Sequence, residues 1–448
     1  MFLVFRKLNL LKDITMLKNQ FDIKFLSLAV SLFAMLNVFF IVSTGYAYTI
    51  DDIAFDVENK NLIIESNRIN LEQFQNDITI AKLNKNPIIS LSGYAKTKYQ
   101  DDDGDDDTIY PRSFGLSITK NIFDGYKSEF SILKADELYQ QALLNFETIK
   151  QDIYLEALNS YSDILEHKKS LKIYLENLSL SQNYINFKSK EYDLGMIDEI
   201  TYEQALIDHE KIKNNIEKVR IDIENEKINF SNYSDYDIDG NSEFLISNLL
   251  MENTPDPYIR YAINNKPSLL SKRRYLKILE YDLSIQKSVN MPKLDLEVDL
   301  TKNWDLTATS DELNEYSIMG KIEIPLYDSG IDKIKENNIS VDILQNTAQL
   351  KNDISLIENE IKGIFNDISL LNRQLKLENK QKEINKRKLL LNEKNYESGK
   401  ITESELISDQ IDYNNQLVNI IISKNQLQKA HFLLLNRLGD VRSDIGSF

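Results

Sequence analysis

The residues that could bind a ligand or do chemistry are few in this 448-residue sequence. The stretch YQDDDGDDDTIY is the most suggestive, because carboxylate oxygens are the ligands that Ca²⁺ prefers. An EF-hand loop needs acidic ligands at fixed steps around its central glycine, yet Tyr99 and Tyr110 occupy the first and last ligand positions around Gly104. The stretch therefore does not match an EF-hand loop. It is interpreted either as a solvated loop or as a weak site for divalent cations at the rim of the molecule. Its six carboxylates are Asp101, Asp102, Asp103, Asp105, Asp106 and Asp107.

Patterns typical of enzymes are missing from the sequence. There is no cysteine, hence no disulfide and no thiolate metal site. His167, His209 and His431 lie apart, and Lys213 stands where an HExxH motif would have its second histidine. We expect no catalytic residues, no cofactor and no bound metal. The net charge of -17 also argues against a nucleic-acid partner, which requires a basic footprint.

The N-terminus has the pattern of a secretory signal peptide. Lys18 and Lys24 precede the apolar run FLSLAVSLFAMLNVFFIV, and a small-x-small cleavage pattern follows at Gly45 to Ala47. We expect residues 1–47 to form the signal peptide, with an uncleaved anchor as the alternative. No later apolar run is long enough for a membrane-spanning helix.

Two very long helices are predicted from the scarcity of proline and glycine. The window Tyr126 to Leu194 contains neither residue, and the window Ile331 to Ser398 contains only Gly363. Apolar residues recur there at three- and four-residue spacings, which is the helical period. About 68 residues at a rise of 1.5 Å give a helix of about 100 Å. Such helices are stable only when they pack against neighbours, as in a coiled coil.

Each long helix is predicted to turn back on itself. Gly195 and Gly399 suit the position that ends a helix, and Asp198 and Thr402 suit the position that begins the next one. The returning helices are predicted to end near Phe230 and Leu438. Two helical hairpins follow, each with its tip at a glycine.

Four short runs between the helices alternate apolar and polar residues, as strands with one apolar face do. Their lengths approach the 9 to 11 residues of a tilted membrane strand, and aromatic residues bracket them. We favour a membrane barrel over a soluble sheet. The runs are Lys293–Thr301, Ile318–Ile324, Ile89–Lys98 and Ser113–Thr119. The aromatic residues are Tyr99, Tyr110, Phe114, Trp304 and Tyr316 at one end, with Phe123 and Tyr327 at the other.

The two halves of the sequence repeat one unit. Matching landmarks lie about 204 positions apart, such as Asp124 and Asp328, Gly195 and Gly399, and Tyr161 and Phe365. The unit consists of a short helix, two strands, a long helix and a returning helix. We expect a first repeat over residues 48–240, a junction over 241–265, a second repeat over 266–440 and a tail over 441–448.

Four strands cannot close a barrel, and open strand edges are not tolerated in lipid. Three chains would supply twelve strands, so we expect strands of several copies to close together. The long helices leave from one end of the strands and would extend the barrel as a helical tube. The acidic stretch joins the first two strands at the opposite end, which would face the exterior. This arrangement indicates a conduit.

The sequence resembles the TolC family of outer-membrane channel proteins over about Asp51 to Asp440. The resemblance rests on NIFDGYKSEFSILKAD at Asn121–Asp136, on IPLYDSGIDKIK at Ile324–Lys335, on the Y-x-x-G tips and on the duplication. It implies a homotrimer with a 12-stranded barrel in the outer-membrane lipid and an α-helical barrel through the periplasm. It also implies a periplasmic adaptor protein and an inner-membrane transporter, which together serve efflux or type I secretion.

The resemblance further implies functional residues near the tips. An acidic ring at the periplasmic entrance would fall on Glu405, with Ser408 and Asp409 at the next position, and Tyr396 would help to latch the entrance. The family's charged latch partners are replaced by Ile401 and Thr201, so Lys400 or Glu203 would have to substitute. A solvated helix face remains the alternative for the acidic residues. The tips that would dock the adaptor consist of Gly195, Met196, Ile197, Gly399, Lys400 and Ile401.

Two other functions fit parts of the sequence. A secreted or membrane-anchored coiled-coil protein with a structural or adhesive role would explain the helices, but it gives no reason for the alternating strands. A passive porin would explain the strands, but it leaves half of the chain as idle helix.

Overall fold

The computed structural model describes residues 48–102, 105–245, 254–307 and 310–442. The predicted signal peptide over residues 1–47 lies outside the described residues, as do Asp103, Gly104 and residues 443–448 of the predicted tail. Eight helices and six strands are described. The helices are α1 (Ile50–Lys60), α2 (Leu62–Leu83), α3 (Lys127–Asp193), α4 (Glu199–Phe230), α5 (Asp256–Asn265), α6 (Pro267–Ser288), α7 (Ile331–Glu397) and α8 (Glu403–Leu438). The strands are β1 (Ile88–Ala95), β2 (Lys98–Asp102), β3 (Asp105–Ile109), β4 (Arg112–Phe123), β5 (Lys293–Thr307) and β6 (Ser310–Glu323).

The predicted duplication is visible in the lengths of the elements. Helices α2 and α6 each have 22 residues, and α3 and α7 each have 67. The sequence analysis predicted one short helix before the strands of each repeat, and this was wrong. The structure has two, because the chain turns to an extended conformation at Asn61 and at Lys266. In the described part of the chain, no helix combines the length and apolar character of a membrane span.

Four strands form one antiparallel sheet in the order β1-β4-β5-β6. Residues paired across the ladder share a face, so each rung shows which face is apolar. One rung is wholly apolar and joins Ile89, Ile118, Val298 and Ile318. The next rung is wholly polar and joins Ser90, Ser117, Asp299 and Ser317. The sheet therefore has one apolar and one polar face, as a membrane barrel requires.

The acidic stretch forms a hairpin beyond this sheet. Strands β2 and β3 pair antiparallel, with Asp102 opposite Asp105 and Lys98 opposite Ile109. The hairpin joins β1 to β4 at the end of the sheet away from the helices. The sequence analysis expected a loop here, and the structure shows that the acidic stretch includes two paired strands.

The long helices pack side by side in a layer whose order repeats that of the strands. Near the sheet the order is α2-α3-α6-α7, and towards the hairpin tips it is α4-α3-α8-α7. Strand β1 follows α2, β4 leads into α3, β5 follows α6 and β6 leads into α7. Each strand thus continues into the helix at its own place in the layer.

Two apolar clusters lie where the short helices pack on the long ones. Around α1, the side chains of Ile53, Tyr154 and Leu158 are buried. Around α5, the side chains of Tyr258, Ile361 and Leu438 are buried in one cluster. Burial of each such side chain stabilises the fold by about 1.5 to 3 kcal/mol. These clusters hold both repeats near the middle of the helical layer.

Candidate channel entrance at the helical hairpin tips

Both hairpin tips have the same backbone geometry. Gly195 and Gly399 have φ of 70° and 69°, in the left-handed region that favours glycine. Gly195 N donates to the Tyr192 carbonyl at 2.8 Å, and Met196 N donates to the Glu191 carbonyl at 2.8 Å. At the second tip, Gly399 N and Lys400 N make the equivalent bonds at 2.9 and 2.8 Å. Both long helices therefore end in a Schellman motif.

The returning helices begin at the predicted N-caps. The carboxylate of Asp198 accepts a hydrogen bond from Thr201 N at 2.8 Å. At the second tip, Thr402 Oγ1 accepts from Glu405 N at 3.3 Å, and the Glu405 carboxylate accepts from Thr402 N at 2.8 Å. These reciprocal bonds are a capping box. Glu405, the predicted ring residue, therefore also has a structural role at the start of α8.

A tyrosine spans each hairpin at its tip. Tyr396 OH donates to Glu403 Oε2 at 3.1 Å, which joins the last turn of α7 to the first turn of α8. This bond to a carboxylate raises the pKa of Tyr396. At the first tip, Tyr192 stacks on Tyr202 with ring centroids 5.5 Å apart. The sequence predicted a latch role for Tyr396 but did not identify Glu403 as its partner.

The two tips lie at the same level of the helical layer. Ser404 Oγ, in the first turn of α8, donates to Glu191 Oε1 of α3 at 3.3 Å. Ser404 is buried, and Glu191 also pairs with Lys188 at 2.8 Å. The end of α3 and the start of α8 are therefore in direct contact, so both hairpins reach equally far from the sheet.

The other predicted entrance residues lie in different surroundings. The carboxylate of Asp409 accepts hydrogen bonds from the ammonium of Lys388 and the amide of Asn392, both on α7. The bond to Asp409 raises the pKa of Lys388. Ser408 is exposed and lines a groove of about 340 Å³ together with His209. Asp409 therefore has its charge compensated within the hairpin, whereas Ser408 is open to solvent.

The docking residues predicted at the tips differ in exposure. Met196 is exposed, as are Gly195, Gly399 and Lys400. Ile197 and Ile401 are half-buried beside the turns. Leu194 and Ile200, which the sequence analysis did not select, are 75% and 77% exposed. Their position next to Gly195 was the signal that could have identified them.

Histidines and acidic groups do not form a catalytic or metal site in the part of the chain that is described. His209 Nδ1 lies 2.7 Å from Ser181 Oγ between α3 and α4, and burial lowers the pKa of this histidine. His431 is buried in α8. Among residues 48–102, 105–245, 254–307 and 310–442, no group of three or more histidine, cysteine or acidic side chains is arranged to hold a metal ion.

The family described as "Outer membrane efflux protein" matches residues 56–232 and 258–440. The chain belongs to the outer membrane efflux protein family. No curated protein matches the sequence. The two matched segments of this outer membrane efflux protein follow the internal duplication, and the family sets the location of the protein in the outer membrane with an extension into the periplasm.

Solved structures with the same fold include outer-membrane channels. CusC has a TM-score of 0.75 at 14% identity, covering 88% of this chain and 93% of that chain. The CmeC outer membrane channel of Campylobacter jejuni has a TM-score of 0.73 at 13% identity, covering 89% and 88%. VceC of Vibrio cholerae has a TM-score of 0.71 at 11% identity, covering 87% and 96%. At these identities the likeness establishes the fold, in which a helical barrel continues a β-barrel.

Proposed function

We propose that three copies of this outer membrane efflux protein form an exit duct that carries substrates from the periplasm to the exterior. The observation that supports this most strongly is the pair of open edges. Within the described residues, β1 pairs only with β4 and β6 pairs only with β5. Lipid does not tolerate such edges, and four strands cannot close on themselves. Three copies close a barrel of twelve strands.

The faces of the sheet support a water-filled interior. In a closed barrel the rung of Ile89, Ile118, Val298 and Ile318 would meet lipid, and the rung with Asp299 would line the lumen. On the same polar face, Asn121 Nδ2 donates to Asp295 Oδ1 at 2.7 Å. The acidic β2–β3 hairpin then stands at the external mouth, where its charge keeps it out of lipid.

The duct would work with a periplasmic adaptor protein and an inner-membrane transporter. The two tips supply the docking surface, because they share one geometry and lie at one level, and the first tip presents Met196, Leu194 and Ile200 to solvent. Such exposed apolar side chains at a rigid turn suit contact with another protein. Drug efflux and type I secretion both fit this assembly.

The entrance would be controlled at the second tip. Glu405 supplies a ring of three carboxylates, Tyr396 helps to latch the entrance while its bond to Glu403 fixes the shape of its own hairpin tip, and Ser408 lies farther along the exposed face. Asp409 contributes mainly by holding α7 to α8 through Lys388. Like charges brought together in such a ring attract cations to the entrance.

The size of the detergent-extracted protein tests the assembly, and conductance in planar bilayers tests the duct. We expect an outer-membrane fraction to yield a trimer that opens a water-filled pore. A monomer, or a trimer without conductance, would contradict the proposal.

Cysteines introduced at Met196 and at Lys400 test the docking surface. We expect both to crosslink to a co-expressed adaptor, whereas a cysteine at Ser90 in the sheet serves as the matched control. Crosslinking only at Ser90 would exclude the tips as the docking site.

A further inference from the structure

The groove of about 340 Å³ that Ser408 and His209 line lies close to the hairpin tips. Its floor is α3, which contributes Tyr174, Ser181 and Tyr184, and its two walls are α4 and α8. Pockets for small organic molecules have volumes of about 300 to 1,000 Å³. The groove is therefore large enough for a compact organic ligand, and the side chains that line it decide which kind.

His209 offers a hydrogen-bond acceptor to the groove. Ser181 Oγ donates its only hydrogen to the Leu178 carbonyl at 2.9 Å. At its 2.7 Å contact with His209 Nδ1 the same hydroxyl therefore accepts, so Nδ1 carries a proton. Burial lowers the pKa of His209, which keeps the ring neutral at pH 7. A neutral imidazole has one N–H group, so Nε2 is left with a lone pair for a donor on the ligand.

The walls of the groove favour a positively charged ligand. Asp208 of α4 pairs with Lys211 at 2.9 Å, so these two charges compensate each other. Asp412 of α8 is exposed on the opposite wall. Its basic neighbour Lys388 donates to Asp409, so the carboxylate of Asp412 is the one that a ligand can neutralise.

Aromatic rings lie at both ends of the groove. Tyr174 and Tyr184 are ten residues apart on α3, which is about 15 Å, and both are half-buried. Aromatic faces stack on other rings and attract cations within about 6 Å of the ring centroid. The ammonium of Lys188 already lies 5.4 Å from the centroid of the Tyr184 ring. The groove thus combines an aromatic surface with a carboxylate and a lone pair.

The groove lies on the face of α8 that carries the proposed acidic ring. Glu405, Ser408, Asp412 and Asn415 are exposed and follow one another at steps of three or four residues, which places them on one side of the helix. The proposed ring directs Glu405 towards the channel axis. The groove therefore opens into the interior of the duct, within about 15 Å of the ring along the helix.

We propose that this groove binds small organic cations that carry an aromatic ring and an N–H donor. The N–H group donates to His209 Nε2, the positive charge lies beside Asp412, and the ring packs against Tyr174. The inference rests on the proposed duct and names the class of substrate that would bind inside its entrance. Each copy would supply one complete site, because α3, α4 and α8 of a single chain form the groove.

Proflavine is a suitable probe, because it is a planar aromatic cation with amino groups and its fluorescence reports binding. We expect the detergent-solubilised wild type to bind proflavine, and Asp412→Asn and His209→Phe each to weaken the binding about tenfold or more, since each removes a contact to a charged ligand. Glu210→Gln is the matched control, because it removes the same charge from an exposed position next to His209 but outside the groove. It should bind as the wild type does at about 0.15 M salt, which screens distant charges.

Cysteine labelling locates the bound probe. The chain has no cysteine, so an introduced thiol reacts against an empty background. Ser408→Cys places the thiol in the groove, whereas Gln410→Cys places it at an exposed position of the same helix outside the groove. We expect proflavine to slow the reaction of Ser408→Cys with a maleimide about tenfold, in step with the binding, and to leave Gln410→Cys unchanged.

Several outcomes would overturn the site. These are a wild type that does not bind proflavine, equal binding by Asp412→Asn and the wild type, equal loss in Glu210→Gln, and binding of the anion naphthalene sulfonate as tight as that of proflavine. Sizing and conductance of the same preparations keep the two proposals apart. A conducting trimer with any of these results loses the site and keeps the duct. A monomer that binds proflavine and protects Ser408→Cys keeps the site and overturns the duct.

Discussion

Replacing Glu405 by glutamine separates the capping role that the structure shows for this side chain from its proposed role in a ring of carboxylates at the entrance. Its carboxylate accepts from Thr402 N at 2.8 Å and from Thr402 Oγ1 at 3.2 Å, which closes the capping box of α8. Glutamine at the same position can keep a capping box, whereas alanine cannot. Glu405→Gln therefore removes the charge alone, and Glu405→Ala removes both the charge and the cap.

The expected magnitudes follow from these contacts. Loss of the hydrogen bonds in Glu405→Ala should destabilise the start of α8 by about 0.5 to 1.5 kcal/mol per copy. If three carboxylates lie about 6 Å from a cation on the channel axis, they attract it by about 2 kcal/mol in water. That energy corresponds to about thirtyfold enrichment of cations at the entrance, and both substitutions should abolish it.

Two measurements decide between the roles. We expect cation selectivity in planar bilayers at low salt, where screening is weak, to fall equally in Glu405→Gln and Glu405→Ala. We expect thermal stability to fall only in Glu405→Ala. If Glu405→Gln conducts and selects like the wild type, the ring is refuted and Glu405 is only a helix cap. If Glu405→Ala is as stable as the wild type, the capping argument is refuted instead.

Three further predictions concern stability and assembly. Burial lowers the pKa of His431 from 6.5 to about 4. The unfolded chain therefore binds more protons than the folded chain in this range, and the free energy of unfolding should fall by up to about 3 kcal/mol as the pH drops from 6.5 to 4. When thermal unfolding is measured across this pH range, His431→Leu should lack this part of the pH dependence. If His431→Leu has the same pH profile as the wild type, His431 is not the group responsible. Gly399→Ala should destabilise the protein by about 1 to 2 kcal/mol, because Gly399 has a positive φ. Gly363→Ala should stabilise it by about 0.5 to 1 kcal/mol in thermal unfolding, because Gly363 lies inside α7 with space for a methyl group. Val298→Lys on the apolar face should destabilise the barrel by about 2 to 4 kcal/mol and reduce the amount of trimer recovered from the outer membrane. Asp299→Lys on the polar face should assemble normally and change the ion selectivity. Equal recovery of the two variants would contradict the assignment of the faces.

The helices were predictable because the signals that define them are local. The window without proline and glycine became α3, and the window with a single glycine became α7. The predicted ends at Phe230 and Leu438 are the observed ends of α4 and α8. Gly195 and Gly399 end their helices because left-handed backbone is favourable for glycine, whatever surrounds it. The apolar and polar faces of the strands were predictable for the same reason, since the alternation of side chains follows from the backbone.

The sequence could not give the partners that side chains near the tips find on other helices. The capping box of Thr402 and Glu405 is local, whereas Asp409 binds Lys388 and Asn392 of α7. Such contacts depend on which helices become neighbours.

The sequence alone thus determined the long helical hairpins, the faces of the main strands and the duplication, because periodicity and backbone preference act within a few residues. The tertiary structure alone decided the order α4-α3-α8-α7, the common level of the tips and the edges that remain open. Several helices of similar pattern can pack in many orders, and only the complete set of side-chain contacts selects one of them. That order leaves α4 and α7 as the two edge helices of the layer towards the tips.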